Sequence, residues 1–438
     1  MRINKNTNIF PIIFFLFIVT FFQSNAFSQA FIPFGFWGCN NYGLTDNTPA
    51  QFNLGSCVNC GVSGSSLALT VGQFAGTFTS RVLNKTRCKN PLVMFTKMSY
   101  LTDIPYGKEL PTTSELTTNY SGISANLLTN LAGYWKLNES SGTTFADSSG
   151  NGNTGNKQGG VTQGVTGRLL NAITQDGSTG YVSTTNTFIN PGNFTLSIWF
   201  RTLTTAGGKL IGFGNSQTGS SSSYDRHIYM NNTGQLYFGC YPGAIRIANS
   251  TASYNDGNWH HVAATLSSTA GMILYVDGVS VGTNAVTTSA QSYTGYIRIG
   301  YDNVNSWTSQ PTSYFFNGSL DDAAFWTRTL SGTEIQQLYQ RGANRIKFQI
   351  RSCTAFDCSD NPTWLGSDGS SSTFFTEINN NTLPTSGLGS VYATSPTMIF
   401  SNFPFLVLPN SQYFQYKINF ESDSATLVPK LNSFTVFY

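Results

Sequence analysis

The chain has 438 residues, with 23 Lys and Arg against 20 Asp and Glu, so its formal net charge is +3. Charged residues make up only 10% of the chain. Because binding to nucleic acid or to an anionic membrane depends on a strongly basic surface, this balance disfavours both kinds of partner. The 43 glycines, with abundant Ser, Thr, Asn and aromatic residues, predict short strands joined by tight turns and therefore an all-β fold.

The N-terminal segment has the pattern of a secretory signal peptide. Arg2 and Lys5 precede an apolar run at residues 9–22, and small-residue cleavage sites end at Ala26 and Ala30. The run is short for a membrane span, and no later run is long enough to be one. We therefore expect a signal peptide over residues 1–30, Sec-type export, and a mature chain that is secreted or at the cell surface without a membrane span. An uncleaved anchor is the alternative.

Seven cysteines in an exported chain predict disulfides. Two pairs are close in sequence, Cys353 with Cys358 and Cys57 with Cys60. The second pair could instead be a redox pair or half of a zinc site, although no second Cys/His cluster accompanies it. Because the number is odd, at least one cysteine stays free or pairs outside the chain; the pairing of Cys39, Cys88 and Cys240 is open.

The middle of the chain alternates apolar and polar residues as half-buried strands do, at 194–200, 235–238 and 272–276. Asp277-Gly278 lies between apolar residues and predicts a two-residue type I′ hairpin, since both turn positions need positive φ.

One short helix is predicted after Leu330. Ser331 can cap its N-terminus, Glu334 is the reciprocal partner three residues later, and Gly342 is expected to end it. This helix closes the block of strands.

An ordered set of motifs spans the same region, at residues 133–139, 147–153, 256–263, 274–278 and 321–326. Together they resemble the laminin-G-like domains of the concanavalin A-like lectin/glucanase superfamily. The resemblance covers roughly half of the mature chain. It implies a jelly roll over residues 131–343 that binds glycans or proteins outside the cell.

The segments that flank this block resemble a β-sandwich module of bacterial surface proteins, on residues 76–82, 105–107, 348–351, 411–420 and 429–438. We therefore predict a concanavalin-like jelly roll inserted into a second, discontinuous β-sandwich formed by residues 76–125 and 344–438. Three independent domains are the alternative. Residues 31–75 show no sustained period and are predicted to be an irregular aromatic, Gly- and Asn-rich segment. Its role stays open: it could attach the protein to an assembly or a cell surface, form an ordinary strand, or cover the β-sandwich.

Catalytic residues are not predicted. A retaining glycosidase needs two carboxylates about 5 Å apart, and none of the six glutamates lies near another acid on a predicted strand. His260 and His261 point to opposite faces of one strand, so they cannot line the same pocket. A glycan-cleaving enzyme would have to assemble its acids from separate segments.

Calcium is the cofactor that the sequence suggests. Asp147, Asn151 and Asn153 lie at alternating positions in a Gly-rich loop and could place hard oxygen ligands around an ion. The family resemblance implies these ligands, with Glu139 or Asp321 from neighbouring strands. The alternative is a turn in which these side chains cap backbone groups.

Ligand recognition is expected to use aromatic rings in exposed loops, since flat rings stack on sugar faces. The candidates lie in Ser-, Asn- and Gly-rich segments that are predicted to be exposed, and are Tyr224, Tyr241, Tyr301 and Trp307. Four tryptophans lie inside apolar strand patterns and are predicted core residues: Trp135, Trp199, Trp259 and Trp326.

The sequence thus predicts an exported, non-catalytic binding protein that recognises carbohydrate or an extracellular protein through a laminin-G-like domain, in adhesion or surface recognition. A structural cell-envelope protein and a glycan-cleaving enzyme are the alternatives.

Overall fold

The structure, a computed structural model, describes residues 42–85, 94–111, 120–122, 127–376, 397–402 and 406–438. The predicted signal peptide, Cys39 and Cys88 lie outside these residues. The described residues are nearly all β, which confirms the predicted fold class.

Seven strands and a one-turn helix precede the jelly roll in the described residues. They are β1 (Gly43–Asp46), α1 (Pro49–Phe52), β2 (Ser56–Val58), β3 (Cys60–Ser63), β4 (Ser66–Leu69), β5 (Ala75–Thr79), β6 (Leu83–Asn84) and β7 (Lys97–Thr102).

The jelly roll follows. Its strands are β8 (Leu131–Trp135), β9 (Thr144–Phe145), β10 (Gly155–Gln158), β11 (Val161–Thr166), β12 (Asn171–Asp176), β13 (Tyr181–Thr184), β14 (Phe188–Ile189), β15 (Phe194–Arg201), β16 (Gly208–Gly214), β17 (Tyr224–Met230), β18 (Gln235–Cys240), β19 (Arg246–Ser253), β20 (Trp259–Ser267), β21 (Gly271–Val276), β22 (Val279–Asn284), β23 (Thr294–Ile299) and β24 (Asn317–Trp326).

The C-terminal part contains helix α2 and the last strands. They are α2 (Gly332–Ala343), β25 (Asn344–Cys353), β26 (Thr397–Ile399), a short 3-10 turn (Phe400–Asn402), β27 (Tyr413–Ser422) and β28 (Lys430–Phe437).

Two antiparallel sheets of the jelly roll face each other. One has the order β19-β18-β17-β16-β23-β13-β10-β9, and the other β11-β12-β24-β15-β20-β21-β22, with β8 added beside β24. Alternation along β15 points Phe194, Leu196, Ile198 and Phe200 into the core between the sheets. Residues 195, 197, 199 and 201 therefore point to the outer face of the second sheet.

The ends of the jelly roll meet. Leu131 at the start of β8 pairs with Trp326 at the end of β24. The predicted type I′ turn is also present, because Asp277 and Gly278 have φ of 50° and 76° between the paired strands β21 and β22.

Strands from before and after the jelly roll pair with one another. β27 lies between β5 and β25 in one sheet, and β28 lies between β7 and β4 in the other. The boundaries drawn for the two domains stay predictions.

The expectation that residues 31–75 are irregular is wrong for the described part, which contains β1 to β4 and α1. β1 pairs with β28 near the C-terminus, and β2 pairs with β5. These strands are only three or four residues long, too short to show a period. β1 and β4 pair with the distant strand β28, whereas β3 and β4 pair with each other as a hairpin.

Helix α2 begins as predicted, with the reciprocal capping bonds of Ser331 and Glu334 both present. It runs one residue past the predicted end, to Ala343. Gly342 is needed for close packing, because a Cβ there would lie 2.4 Å from the Trp199 ring. None of the helices in the described ranges is long and apolar enough to cross a membrane.

Candidate functional site

The outer face of the β12-β24-β15-β20 sheet brings polar side chains together. Helix α2 covers its middle, where Tyr339 stacks on Trp199 with ring centroids 5.7 Å apart. The end of this face, at Arg201, lies beside a groove. The face thus has a closed polar cluster and an open groove.

A β-bulge builds the closed cluster. In the β15–β24 pair, Trp199 is opposite Asp321 while Ser197 is opposite Ala324, so the register shifts between them. Asp322 adopts a φ of 48° within this bulge. As a result, two consecutive aspartates contact groups on the outer side of the sheet: Asp321 accepts from the backbone N–H of Arg168, and Asp322 from the hydroxyl of Tyr134.

Glu109, from the segment before the jelly roll, joins these aspartates. Its carboxylate lies 2.7 Å from the ammonium of Lys136, and burial together with the charge of Glu109 raises the pKa of Asp322 to about 8. Burial and the neighbouring Asp322 raise the pKa of Asp321. Carboxyl groups from separate segments of the chain therefore lie together here, but Glu109, Asp321 and Asp322 are each less than 10% exposed.

The histidines of β20 occupy different faces, as the alternation predicts. His261 is buried against Trp199 and bonds Ser197 Oγ through Nε2 at 2.7 Å, and burial lowers its pKa to about 4. Burial alone would lower the pKa of His260, but hydrogen bonds to Asp277 and Asp256 and their charges raise it. Both histidines therefore have structural partners.

The groove lies where β15 ends and β24 and β20 begin, and has a volume of about 500 Å³. Its lining residues are Arg201, Thr202, Leu203, Thr204, Gly257, Asn317, Gly318 and Ser319. Gly318 brings the strands together here, since a Cβ at this position would lie 2.6 Å from the carbonyl oxygen of Arg201. The Leu203 side chain is 74% exposed beside Gly257.

The guanidinium of Arg201, which lines this groove, lies beside the indole of Trp259. The Arg201 guanidinium lies 5.2 Å from the centroid of the Trp259 ring. Trp259 is only partly buried, although the sequence predicted a core residue. The predicted core positions Trp135, Trp199 and Trp326 are buried.

The sequence did not identify the groove residues Arg201 and Asn317. The strand pattern alone puts Arg201 on the same face as Trp199. Its proximity to Trp259 follows from the β15–β20 register, which places these two residues opposite each other.

The loop proposed for calcium forms a turn around Asp147. One carboxylate oxygen accepts from the backbone N–H of Tyr134 and Ser149 at 3.0 and 2.9 Å, and the other from that of Asn153 at 2.8 Å. Asn151 and Asn153 each donate their amide nitrogen to a carbonyl of β8.

The other two proposed ligands also have backbone donors. Glu139 accepts from the N–H of Ala146, and Asp321 from Arg168 and Leu169. No group of three His, Cys, Asp or Glu side chains able to hold a metal occurs among the described residues. These contacts match the alternative, a turn closed by hydrogen bonds to backbone groups, and calcium binding stays a prediction.

The four predicted ligand-binding aromatics do not form one surface. Tyr241 is 37% exposed and Tyr224 is half-buried. The expected exposure is wrong for Trp307, which packs 4.2 Å from the His227 ring, and for Tyr301, which stacks on Phe315 at 3.7 Å. Both rings are covered because the loop after β23 folds back over the sheet, which the sequence pattern does not reveal.

Both predicted cysteine pairs, Cys57–Cys60 and Cys353–Cys358, are disulfide-bonded. Cys240 is free and buried. Such disulfides are compatible with an oxidising, extracellular location.

Residues 176–336 match the Laminin_G_3 family model, described as the concanavalin A-like lectin/glucanases superfamily. The jelly roll is a concanavalin A-like domain. The matched residues include β15, β20 and β24 of this domain, and hence all the groove residues. No curated protein matches the chain.

Solved structures similar to this chain have low sequence identity. The Trypanosoma rangeli sialidase in complex with the inhibitor DANA is 16% identical, with a TM-score of 0.35 over 48% of this chain and 32% of that one. Domain 4 of AbnA, a GH43 extracellular arabinanase from Geobacillus stearothermophilus solved with arabinotriose, is 18% identical, with a TM-score of 0.33 over 48% and 98%.

The heptameric SAP-like pentraxin from Limulus polyphemus is 17% identical, with a TM-score of 0.29 over 36% of this chain and 73% of that one. This chain spans about a third of the length of the sialidase.

Proposed function

We propose that this chain is an exported, non-catalytic binding protein whose concanavalin A-like domain recognises carbohydrate in the groove beside Arg201 and Trp259. The observation on which this depends is the open groove lined by polar side chains, at which the Arg201 guanidinium lies over the partly buried Trp259 indole. Rings of this kind pack against the apolar faces of sugars, and neighbouring amides and guanidinium groups bond sugar hydroxyls.

The polar groups of the groove support this proposal. In the part of the chain that the structure describes, the amide of Asn317 and the guanidinium of Arg201 have no hydrogen-bond partner. Both are thus able to donate to a ligand. The hydroxyl of Thr202, in contrast, already donates to the carbonyl of Asn317 at 2.5 Å and accepts from the N–H of Thr204.

The closed cluster of Glu109, Asp321 and Asp322 does not supply the groove with acids. Arg341 donates to the backbone carbonyls of Lys108 and Glu109, which holds this segment over the cluster. This separation favours binding over glycan cleavage as the function of the groove.

Binding of the mature chain to a glycan array tests the proposal. We expect capture of at least one glycan class, and a loss of about tenfold in affinity for Asn317→Ala, because one good polar contact at a binding site contributes about that factor. Tyr241→Ala, at an exposed aromatic outside the groove, is the matched control and should bind normally.

Three outcomes would overturn the proposal. Failure to capture any glycan would favour a structural envelope role or a protein partner. Release of reducing ends from a captured glycan would indicate an enzyme. Loss of binding in Tyr241→Ala but not in Asn317→Ala would show that the binding site lies in the loops and not in the groove.

A further inference from the structure

We infer that the groove selects saccharides that carry a carboxylate, and that Arg201 is the residue that pairs with it. This inference rests on the proposed function and adds the chemical class of the ligand. The acidic group could belong to a uronic acid or to a sialic acid, which offer the same carboxylate to the protein.

Arg201 differs from the buried arginines of the domain in having no acceptor. Arg168, Arg226 and Arg298 each donate to backbone carbonyls at 2.9 Å or less. Among the described residues, no carboxylate, amide or carbonyl oxygen accepts a hydrogen bond from Arg201. Its guanidinium lies over the Trp259 ring, which restricts its orientation without using its N–H donors.

The carboxylates on the turns that flank the groove already accept hydrogen bonds from other residues of the chain. Asp256 precedes Gly257 and bonds Asn258 and His260. Asp176, opposite Asn317 in the β12–β24 pair, accepts from the backbone of Ser178, Thr179 and Gly180. These bonds lower the pKa of both aspartates despite partial burial, so both stay charged, but neither forms an ion pair with Arg201.

The shape of the guanidinium explains the choice of a carboxylate. Its parallel N–H groups match the two oxygens of a planar carboxylate, and charge-assisted bonds of this kind are stronger than neutral ones. The Asn317 amide can bond a hydroxyl of the same sugar. A neutral sugar would leave the charge of Arg201 unpaired when the groove is occupied.

Calorimetric titration of the mature chain with matched pairs of probes tests the inference. One pair is a galacturonate oligomer and its carboxyl-reduced form, and the other is sialyllactose and lactose. We expect one acidic probe to bind about tenfold or more tightly than its neutral counterpart, and the pair in which this occurs identifies the source of the carboxylate.

The variant Arg201→Gln should remove this preference while neutral binding persists. Arg246→Gln makes the same charge change at an exposed position on β19 and should leave the preference intact. Equal binding of acidic and neutral probes, or an unchanged preference in Arg201→Gln, would refute the acidic ligand but leave carbohydrate binding standing. If none of the four probes binds and the glycan array is also silent, the proposed function fails as well.

Discussion

Asp147 illustrates how a single side chain determines the conformation of a loop in this protein. Its carboxylate accepts three backbone N–H bonds, from Tyr134, Ser149 and Asn153. The bond to Tyr134 ties the loop to β8. Aspartate performs this role in many turns because its short side chain reaches backbone groups a few residues away.

Replacing Asp147 by Ala should destabilise the protein by about 1–3 kcal/mol, because three backbone N–H groups would lose their acceptor. We expect the melting temperature to fall by the same amount in calcium and in EDTA, as measured by differential scanning fluorimetry. If calcium raised the melting temperature of the natural chain but not of this variant, the turn interpretation would be wrong and the predicted metal site would be supported.

At the scale of elements, the bulge in β24 determines which acids meet. Without it, Asp321 and Asp322 would point to opposite faces, and one of them would enter the apolar core. Asp322 instead lies near Glu109, Lys136 and Arg341, and Asp321 near Glu109, and burial raises the pKa of both carboxyl groups. In the described residues, Oδ1 of Asp321 and Oδ2 of Asp322 have no hydrogen-bond partner.

The raised pKa of Asp322 predicts a pH dependence. The unfolded chain loses this proton near pH 3.8 and the folded chain near 8, so the contribution of Asp322 to stability is complete below 3.8 and declines as the pH rises through this window. Asp322→Asn should therefore be more stable than the natural chain at about pH 9 and nearly equal to it at about pH 4. Urea unfolding at both pH values measures this difference.

The control is Asp357→Asn, since Asp357 is exposed and belongs to no cluster. A variant at Asp322 that follows the natural chain at every pH would mean that the carboxyl ionises normally in the folded state.

At the scale of the whole molecule, helix α2 connects the jelly roll to the strands around it. Arg168 donates to the carbonyl of Gly342 at 2.6 Å and pairs with Asp423 after β27. Arg341 accepts from the N–H of Gly107 at 2.7 Å through its carbonyl. The described residues between 42 and 438 form a single compact unit.

We expect the mature chain to unfold in one calorimetric transition. Arg341→Met should lower the melting temperature and separate this transition into two, because the carbonyls of Lys108 and Glu109 would lose a buried donor at a cost of about 2–4 kcal/mol. Arg246→Met, at an exposed position, should leave the single transition unchanged. Two transitions in the natural chain would contradict a cooperative junction.

The sequence by itself determined features that depend on near neighbours. The Asp277-Gly278 turn, the Ser331–Glu334 capping box and the pairs Cys57–Cys60 and Cys353–Cys358 each involve residues within five positions of one another. Strand alternation is equally local, and it placed His260 and His261 on opposite faces. These features follow from backbone sterics and side-chain reach, which act over short sequence distances.

Only the tertiary structure decided which distant segments meet. The register of β24 against β15, the approach of Glu109 to Asp322 and the burial of Trp307 all depend on contacts between residues far apart in the chain. A one-residue shift in register changes every pairing along a strand, and no local pattern specifies it. The groove beside Arg201 also depends on contacts between distant segments, because the ends of three strands meet there only after the sheet has formed.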